Sequence, residues 1–168
     1  MSQMLPPALL SSTHDLESFD CGEPILNAWL KKTALKNQEK HASRCFVICK
    51  DKKVIGYYTL SSGAIMRESA PKVIQRNMPE SLPVVLLSRL AIDQNYHNQG
   101  YGKALLRDAM RRVMMASADL GIIAILVHAL SEPAKRFYLS CGFIPSPLQP
   151  MTLLITLKAI RAIVLETH

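Results

Sequence analysis

Residues 93–102, Asp-Gln-Asn-Tyr-His-Asn-Gln-Gly-Tyr-Gly, carry the most legible chemistry in this sequence. They stand between an apolar run, Val84 to Ile92, and a stretch from Tyr101 to about 119 whose apolar residues recur at helical spacing. A polar loop holding Gly100 and Gly102 between a strand and a helix is a ready anion site. The first N–H groups of a helix have no internal acceptor, and the helix dipole is positive there. Glycine lets the backbone approach a phosphate closely. The same two glycines suit a tight turn with no ligand, so the loop alone leaves both readings open.

Tyr138 is the second candidate. It sits on a segment, 131–140, that reads as a helix with Ser131 as N-cap and Gly142 as the glycine past its end. On the residues alone, a tyrosine there reads better as a packing residue against the neighbours of Phe137, although a phenol of pKa ~10 can also donate a proton. No carboxylate pair and no His–carboxylate arrangement accompanies the glycine loop. Cys21, Cys45, Cys49 and Cys141 form no CxxC pair, and no His stands at ligand spacing beside them. They read as reduced packing residues, with no metal site. His128 reads as a satisfied core histidine in a buried strand, and Met114-Met115 as a core or dimer contact.

The charge is uneven. The chain has 20 Lys+Arg and 13 Asp+Glu, a net +7. The first 23 residues hold four acids (Asp15, Glu17, Asp20, Glu23) and no base, so the remaining 145 hold 20 bases against nine acids, a net +11. A basic body attracts polyanions such as nucleic acid, phosphate-rich cofactors or anionic lipid, although a solvated basic face without a specific partner has the same composition.

Length and patterning bound the elements that must position these residues. With 168 residues, 49% hydrophobic and 20% charged, the chain is one domain's worth and is neither disordered nor fibrous. No apolar run approaches the ~18 residues of a membrane span, and no secretory signal is visible, so a soluble cytoplasmic protein is expected. A short edge strand is expected at 4–11, interrupted by Pro6 and Pro7. A helix is expected over 25–37 after Pro24, with Lys31, Lys32 and Lys36 on its polar face. Residues 44–50 and 53–65 read as a hairpin about Asp51-Lys52, and 66–82 as a short helix and loops. Residues 84–92 and 122–128 read as buried strands. The helix from about 101 to 119 puts Leu105, Leu106, Ala109, Met110, Val113 and Ala116 on its apolar face. Residues 151–157 suggest a last strand, followed by an apolar tail, Ile160 to Leu165, offered with the acidic N-terminus as a contact surface. Strands and helices alternate around one core, a mixed α/β class.

The run Leu90-Ala91-Ile92-Asp93, then Gln99-Gly100-Tyr101-Gly102-Lys103-Ala104-Leu105-Leu106, resembles the acetyl-coenzyme A signature of the GNAT N-acetyltransferases. Ala134-Lys135-Arg136-Phe137-Tyr138 followed by Cys141-Gly142-Phe143 matches its second half. A further layer is similar to the acetyltransferase toxins of bacterial toxin–antitoxin pairs: Phe19-Asp20-Cys21-Gly22-Glu23-Pro24, Ala42-Ser43-Arg44, Gly56-Tyr57-Tyr58, Ser88-Arg89-Leu90-Ala91, Val127-His128-Ala129-Leu130, and Phe143 to Pro147 with Pro150 to Leu153.

The resemblance implies a single N-acetyltransferase domain over 1–168. It also implies transfer of acetyl from acetyl-CoA to the α-amino group of aminoacyl-tRNA, which blocks translation. Tyr138 would be the catalytic acid. Leu90, Ala91, Ile92, His97, Asn98, Gln99, Gly100, Tyr101, Gly102, Lys103 and Ala104 would hold the co-substrate. Arg89, Lys31, Lys32, Lys36 and Arg44 are the candidates to meet tRNA phosphates; Arg89 could instead form a surface ion pair with Asp93 or Glu132. The α-amino group of an amino acid ester is already partly neutral at physiological pH, so a strong general base is not essential. Expected partners are a ribbon–helix–helix antitoxin, operator DNA only through that complex, and a second copy of the chain. The family usually has Gln or Arg three residues before the first glycine, where this sequence has His97. Two rivals stand beside this expectation: acetylation of a protein N-terminus or small amine, and a DNA-associated regulatory subunit.

Overall fold

Asp51 takes a left-handed conformation, φ 58°, which a short polar side chain tolerates better than a branched one. It closes a hairpin between β2 (Arg44–Lys50) and β3 (Lys53–Met66), with Lys50 opposite Lys53. The computed structural model describes residues 4–165. β1 (Met4–Leu9) pairs antiparallel with β2 at the sheet edge, and its register shifts between Leu5 and Ala8. The two prolines cause that shift, because neither has an N–H to give the ladder. α1 (Pro24–Lys32) and α2 (Ala34–Glu39) lie between β1 and β2 in the chain.

β4 (Ser81–Ile92) leads into α3 (Tyr101–Ala116), β5 (Ala124–His128), α4 (Glu132–Ser140), β6 (Ile144–Pro145), β7 (Thr152–Thr156) and α5 (Leu157–Leu165). The seven strands form one mixed sheet, in the order β1-β2-β3-β4-β5-β7-β6. The β4–β5 pair is parallel, and its ladder runs from Val84 opposite Ala124 to Leu86 opposite Leu126. Leu90, Ala91 and Ile92 stand beyond it.

Contacts gather the chain into two units. Residues 1–61 and 88–109 make the first, with a core of Leu10, Phe19, Leu26, Leu30, Val47, Val54, Tyr57 and Ala91. Residues 62–87 and 110–168 make the second, where Val84, Ala124, Leu126 and Leu154 pack with Ile65, Ile74, Leu86 and Ile123. Fully burying one such large side chain stabilises by about 1.5–3 kcal/mol.

Several elements depart from the sequence expectation. The helix expected over 25–37 is two, broken at Thr33, whose φ of −122° is outside the helical range. A β-branched residue loses side-chain freedom in a helix and resists it weakly; its N–H still donates to the Trp29 carbonyl at 2.9 Å. β4 is only intermittently buried, and α3 ends at Ala116, which is exposed. Residues 66–82 hold two short 3-10 turns, Arg67–Ser69 and Lys72–Ile74. Within Met114-Met115, the first residue is half-buried and the second exposed. The segment Ile160 to Leu165 is not an open apolar tail. It belongs to α5, whose Ile160 and Val164 are buried.

Candidate active site

Gly56 lets β3, β4 and α3 close on one another. A methyl group there would lie 2.6 Å from Ile92 Cδ1, 3.0 Å from Ile48 Cγ2 and 3.1 Å from Leu105 Cδ1. The Asp93 N–H donates to the Ile55 carbonyl at 2.8 Å, so the strand leaves the sheet at a fixed point. Asp93 is 4% exposed, and both carboxylate oxygens are used. Oδ1 accepts from the Asn95 N–H at 2.9 Å, capping a 3-10 turn over Gln94–Tyr96. Oδ2 accepts from the Asp20 N–H at 3.0 Å, and the Gln94 N–H returns a bond to the Asp20 carbonyl at 2.9 Å. Asp20 Oδ1 accepts from the Gly22 N–H and from Asn27 Nδ2, both at 2.9 Å. These bonds, led by that from Gly22, hold its carboxyl below the usual range. The acidic segment before α1 is thus fastened to the start of the glycine loop.

The loop then turns twice through left-handed backbone, at Asn98 (φ 61°) and Gly100 (φ 85°). Nothing lies within 4 Å of where a Gly100 side chain would begin. The Ala104 N–H donates to the Gly100 carbonyl at 3.0 Å, which starts α3. The N–H groups of Tyr101, Gly102 and Lys103 therefore come before the first N–H that finds an acceptor within the helix. An open, exposed side at Gly100 and a run of N–H groups at the positive end of a 16-residue helix fit a pyrophosphate. His97 is exposed but tied to the backbone. Its Nε2–H donates to the Ile92 carbonyl at 2.6 Å, which fixes the tautomer, because a carbonyl only accepts. Its imidazole thus braces the loop at the position where the family carries Gln or Arg. In α3, Asp108 Oδ2 accepts from the buried Tyr58 hydroxyl of β3 at 2.5 Å.

Tyr138 belongs to the second unit. The Ser131 hydroxyl caps α4 by accepting from the Ala134 N–H at 3.2 Å. At the other end the Phe143 N–H reaches the Tyr138 carbonyl at 3.1 Å, and the Gly142 N–H reaches Leu139 at 3.1 Å. Gly142 has φ 100°. That is a Schellman cap, which explains the Cys141-Gly142-Phe143 signature physically. The Tyr138 ring lies 5.3 Å from Phe137 and 5.2 Å from Phe143, and the residue is 8% exposed. Burial pushes its phenol above the ordinary value. No group among the described residues hydrogen-bonds its hydroxyl.

Arg89 forms no ion pair with Asp93 or Glu132. Asp93 is committed to backbone N–H groups, and the Arg89 guanidinium lies over the Trp29 ring at 4.0 Å. Sequence reasoning did not find this contact, because nothing local links Trp29 to Arg89. Lys31, Lys32 and Lys36 are exposed, the first two ending α1 and the third on α2. Arg44 has a local role, donating to the Gln38 carbonyl at 3.0 Å beside His41 Nδ1 at 3.3 Å. His128 is exposed at the end of β5 rather than buried. The Thr152 hydroxyl donates to Gln149 Oε1 at 3.2 Å, so His128 Nδ1–H donates to Thr152 Oγ1 at 2.9 Å. Cys21, Cys45 and Cys49 are buried. Among the described residues no group of three His, Cys, Asp or Glu could hold a metal, and no helix is long and apolar enough to cross a membrane.

Residues 41–145 match the acetyltransferase (GNAT) domain. The chain is 44% identical to a tRNA-acetylating toxin of Mycobacterium tuberculosis, over 98% of this chain and 99% of the relative. The fold superposes on AtaT complexed with acetyl-methionyl-tRNAfMet with a TM-score of 0.90 at 34% identity, covering 96% of this chain and 99% of that one. It also superposes on a mutant AtaT toxin bound to the C-terminus of the antitoxin AtaR and acetyl-CoA, with a TM-score of 0.82 at 32% identity, covering 96% and 97%. A phosphate-ready loop between strand and helix, a capped tyrosine helix and these likenesses lead to one conclusion: the chain belongs to the GNAT family of acetyl-CoA-dependent N-acetyltransferases.

Proposed function

We propose that this enzyme is the toxin of a toxin–antitoxin pair and acetylates the α-amino group of aminoacyl-tRNA, which stops translation. The observation that carries the reading is the 44% identity, over nearly the whole chain, to a tRNA-acetylating toxin. The net +7 charge of the chain supports a polyanionic acceptor.

When bound, acetyl-CoA supplies an activated acetyl group. The N–H groups of Tyr101, Gly102 and Lys103, with the turn at Asn98, Gln99 and Gly100, hold its pyrophosphate; Ala104 continues the helix behind them. The backbone of Leu90, Ala91 and Ile92, beyond the end of the β5 ladder, carries N–H groups that can polarise the acetyl carbonyl. His97 keeps the loop in shape. Tyr138 holds a proton on its hydroxyl for the leaving thiolate while the acceptor amine gives one up, so the proton count balances. Burial raises the phenol, yet the same physics raises a buried thiol: Cys45 in this chain is pushed to about 12. Proton transfer from oxygen to sulfur is therefore not made prohibitive by the dry surroundings. Arg89 and the exposed Lys31, Lys32 and Lys36 face tRNA phosphates, with Arg44 beside them.

The partners that accompany this reading are a ribbon–helix–helix antitoxin, operator DNA through that complex, and a second copy of the chain. One N-acetyltransferase domain spans residues 1–168, working in the cytoplasm. The test is transfer of labelled acetyl from acetyl-CoA to charged total tRNA, with deacylated tRNA and Tyr138→Phe as controls. Label confined to charged tRNA and the wild-type chain is expected. Label absent while acetyl-CoA still binds would reject the acceptor, and a fully active Tyr138→Phe would reject the role of the phenol.

A further inference from the structure

The Arg89 side chain is part of a three-layer stack. Tyr57 is fully buried in β3, and its hydroxyl donates to the Leu26 carbonyl at 2.7 Å. Trp29 of α1 lies parallel to it, with centroids 6.1 Å apart and planes 9° from one another. The Arg89 guanidinium covers Trp29 at 4.0 Å. Two neighbours therefore occupy the indole, which leaves it unsuited to stack on a base. The guanidinium has one face on the indole and its N–H groups pointing outward in its own plane.

Arg89 is half-buried, and burial lowers its pKa from the ordinary value. No carboxylate among the described residues pairs with it. Its hydrogen bond is a long one, 3.4 Å, to the Ser88 hydroxyl. A partly desolvated cation held flat, with most of its five donors uncommitted, is built to receive a planar or tetrahedral oxyanion from outside. Arg89 also lies on β4, one residue before Leu90, the first of the three residues whose backbone is proposed to polarise the acetyl carbonyl.

We propose that Trp29 is a positioning residue of the acceptor site, fixing the plane in which Arg89 presents its N–H groups to a phosphate of the acceptor RNA. The proposal rests on the aminoacyl-tRNA reading above. Trp29 touches no reacting atom; it acts through Arg89. Tyr57, tethered at both its ring and its hydroxyl, is the fixed base of the stack.

The experiment measures KM for charged tRNA, KM for acetyl-CoA and kcat for wild type, Trp29→Leu, Trp29→Phe, Arg89→Ala and the Trp29→Leu/Arg89→Ala double variant. Removing one charged hydrogen-bonding partner of a phosphate is expected to raise the KM for charged tRNA roughly tenfold. Trp29→Leu should share that rise, with kcat and the KM for acetyl-CoA within about twofold of wild type. Trp29→Phe, which keeps a ring under the cation, should recover most of the loss. The double variant should be no worse than Arg89→Ala, because the two residues act as one unit. In Arg89→Ala the dependence of log KM on log salt should flatten by about one unit.

Additive losses in the double variant, or a Trp29→Leu chain with unchanged KM for charged tRNA, would overturn the proposal alone. So would equal damage to both KM values and kcat, which marks a merely structural tryptophan. If Trp29→Leu does not fold, Trp29→Phe combined with Arg89→Ala decides by the same comparison. A wild-type chain that binds acetyl-CoA and labels no charged tRNA overturns the acceptor reading itself, and this proposal with it.

Discussion

Phe143 is tied to Tyr138 twice, by its N–H to the Tyr138 carbonyl at 3.1 Å and by its ring, 5.2 Å from the phenol ring. The cap that ends α4 is thus also the holder of the candidate acid. Gly142→Ala isolates the backbone part of this arrangement. A methyl there meets Ile155 Cδ1 at 3.6 Å and Ile163 Cδ1 at 3.7 Å, ordinary contacts, so the cost is that of φ 100° on an L residue, about 1–2 kcal/mol. Phe143→Leu removes the ring and keeps the cap. If the ring sets the phenol, Phe143→Leu should lower kcat about tenfold or more with the KM for acetyl-CoA unchanged. Steady-state kinetics beside urea melts separate the two effects. A Phe143→Leu enzyme of normal kcat would leave the ring with packing only.

The Tyr58–Asp108 bond does for α3 what Phe143 does for α4. Tyr58 is fully buried, and its hydroxyl finds the carboxylate at 2.5 Å. Hydrogen bonds to charged groups contribute about 1.5–3 kcal/mol. Tyr58→Phe should therefore lower the unfolding free energy by roughly that amount in urea. On the proposal that α3 offers its N-terminus to the pyrophosphate, the variant should also weaken acetyl-CoA binding measured by calorimetry. Stability lost with affinity intact would show that the helix is placed by its apolar face alone.

Gly56 reports on space rather than on backbone freedom. A Cβ there would meet Ile92 Cδ1 at 2.6 Å, which demands movement, and Ile48 Cγ2 and Leu105 Cδ1 at 3.0 and 3.1 Å, which are tight. Gly56→Ala should cost about 1–3 kcal/mol, the usual range for overpacking. Ile92 is the nearest neighbour and also ends the strand that feeds the loop, so the KM for acetyl-CoA should rise as well. Gly56→Ala with Ile92→Val makes room at the tightest contact, and should recover stability by chemical denaturation. Failure of that pair to recover would place the strain at Ile48.

The parts of the site that were legible from sequence are those whose local backbone demands a residue type. Gly100 and Gly142 both have positive φ, Ser131 caps a helix, and Asp51 turns a hairpin. Each demand acts within a few residues, so it leaves a short pattern. The stack under Arg89 was not legible, because Trp29, Tyr57 and Arg89 meet only after α1 packs beside the sheet. The alternative of an Arg89 ion pair with Asp93 fails for the same reason: the partners of Asp93 include the Asp20 N–H, far away in the chain. His128 looked buried because it ends an apolar run, yet the strand's last residue is exposed. The break at Thr33 falls at a β-branched residue of weak helical propensity, which apolar spacing alone does not mark.

Alkali should unfold this protein through its buried thiols and phenols. Burial pushes the Cys49 thiol up to about 11 and the Cys45 thiol up to about 12, from an ordinary value of 9.0. Tyr57 and Tyr138 are raised as well, by the same loss of solvation. All four are neutral when protonated, and the folded state holds those protons more tightly than the unfolded one. Their contribution is fully present below the unfolded value near 9 and is lost as pH rises through the folded values. Stability should therefore be insensitive to these groups between about pH 7 and 8 and fall between about pH 9 and 12. Cys49→Ala removes the less strongly raised of these two thiols. It should shift the whole curve by a constant amount near neutrality and make the decline above about pH 9 shallower. Urea melts at half-unit steps would decide it: an unchanged alkaline slope in Cys49→Ala would assign the loss to the phenols and Cys45.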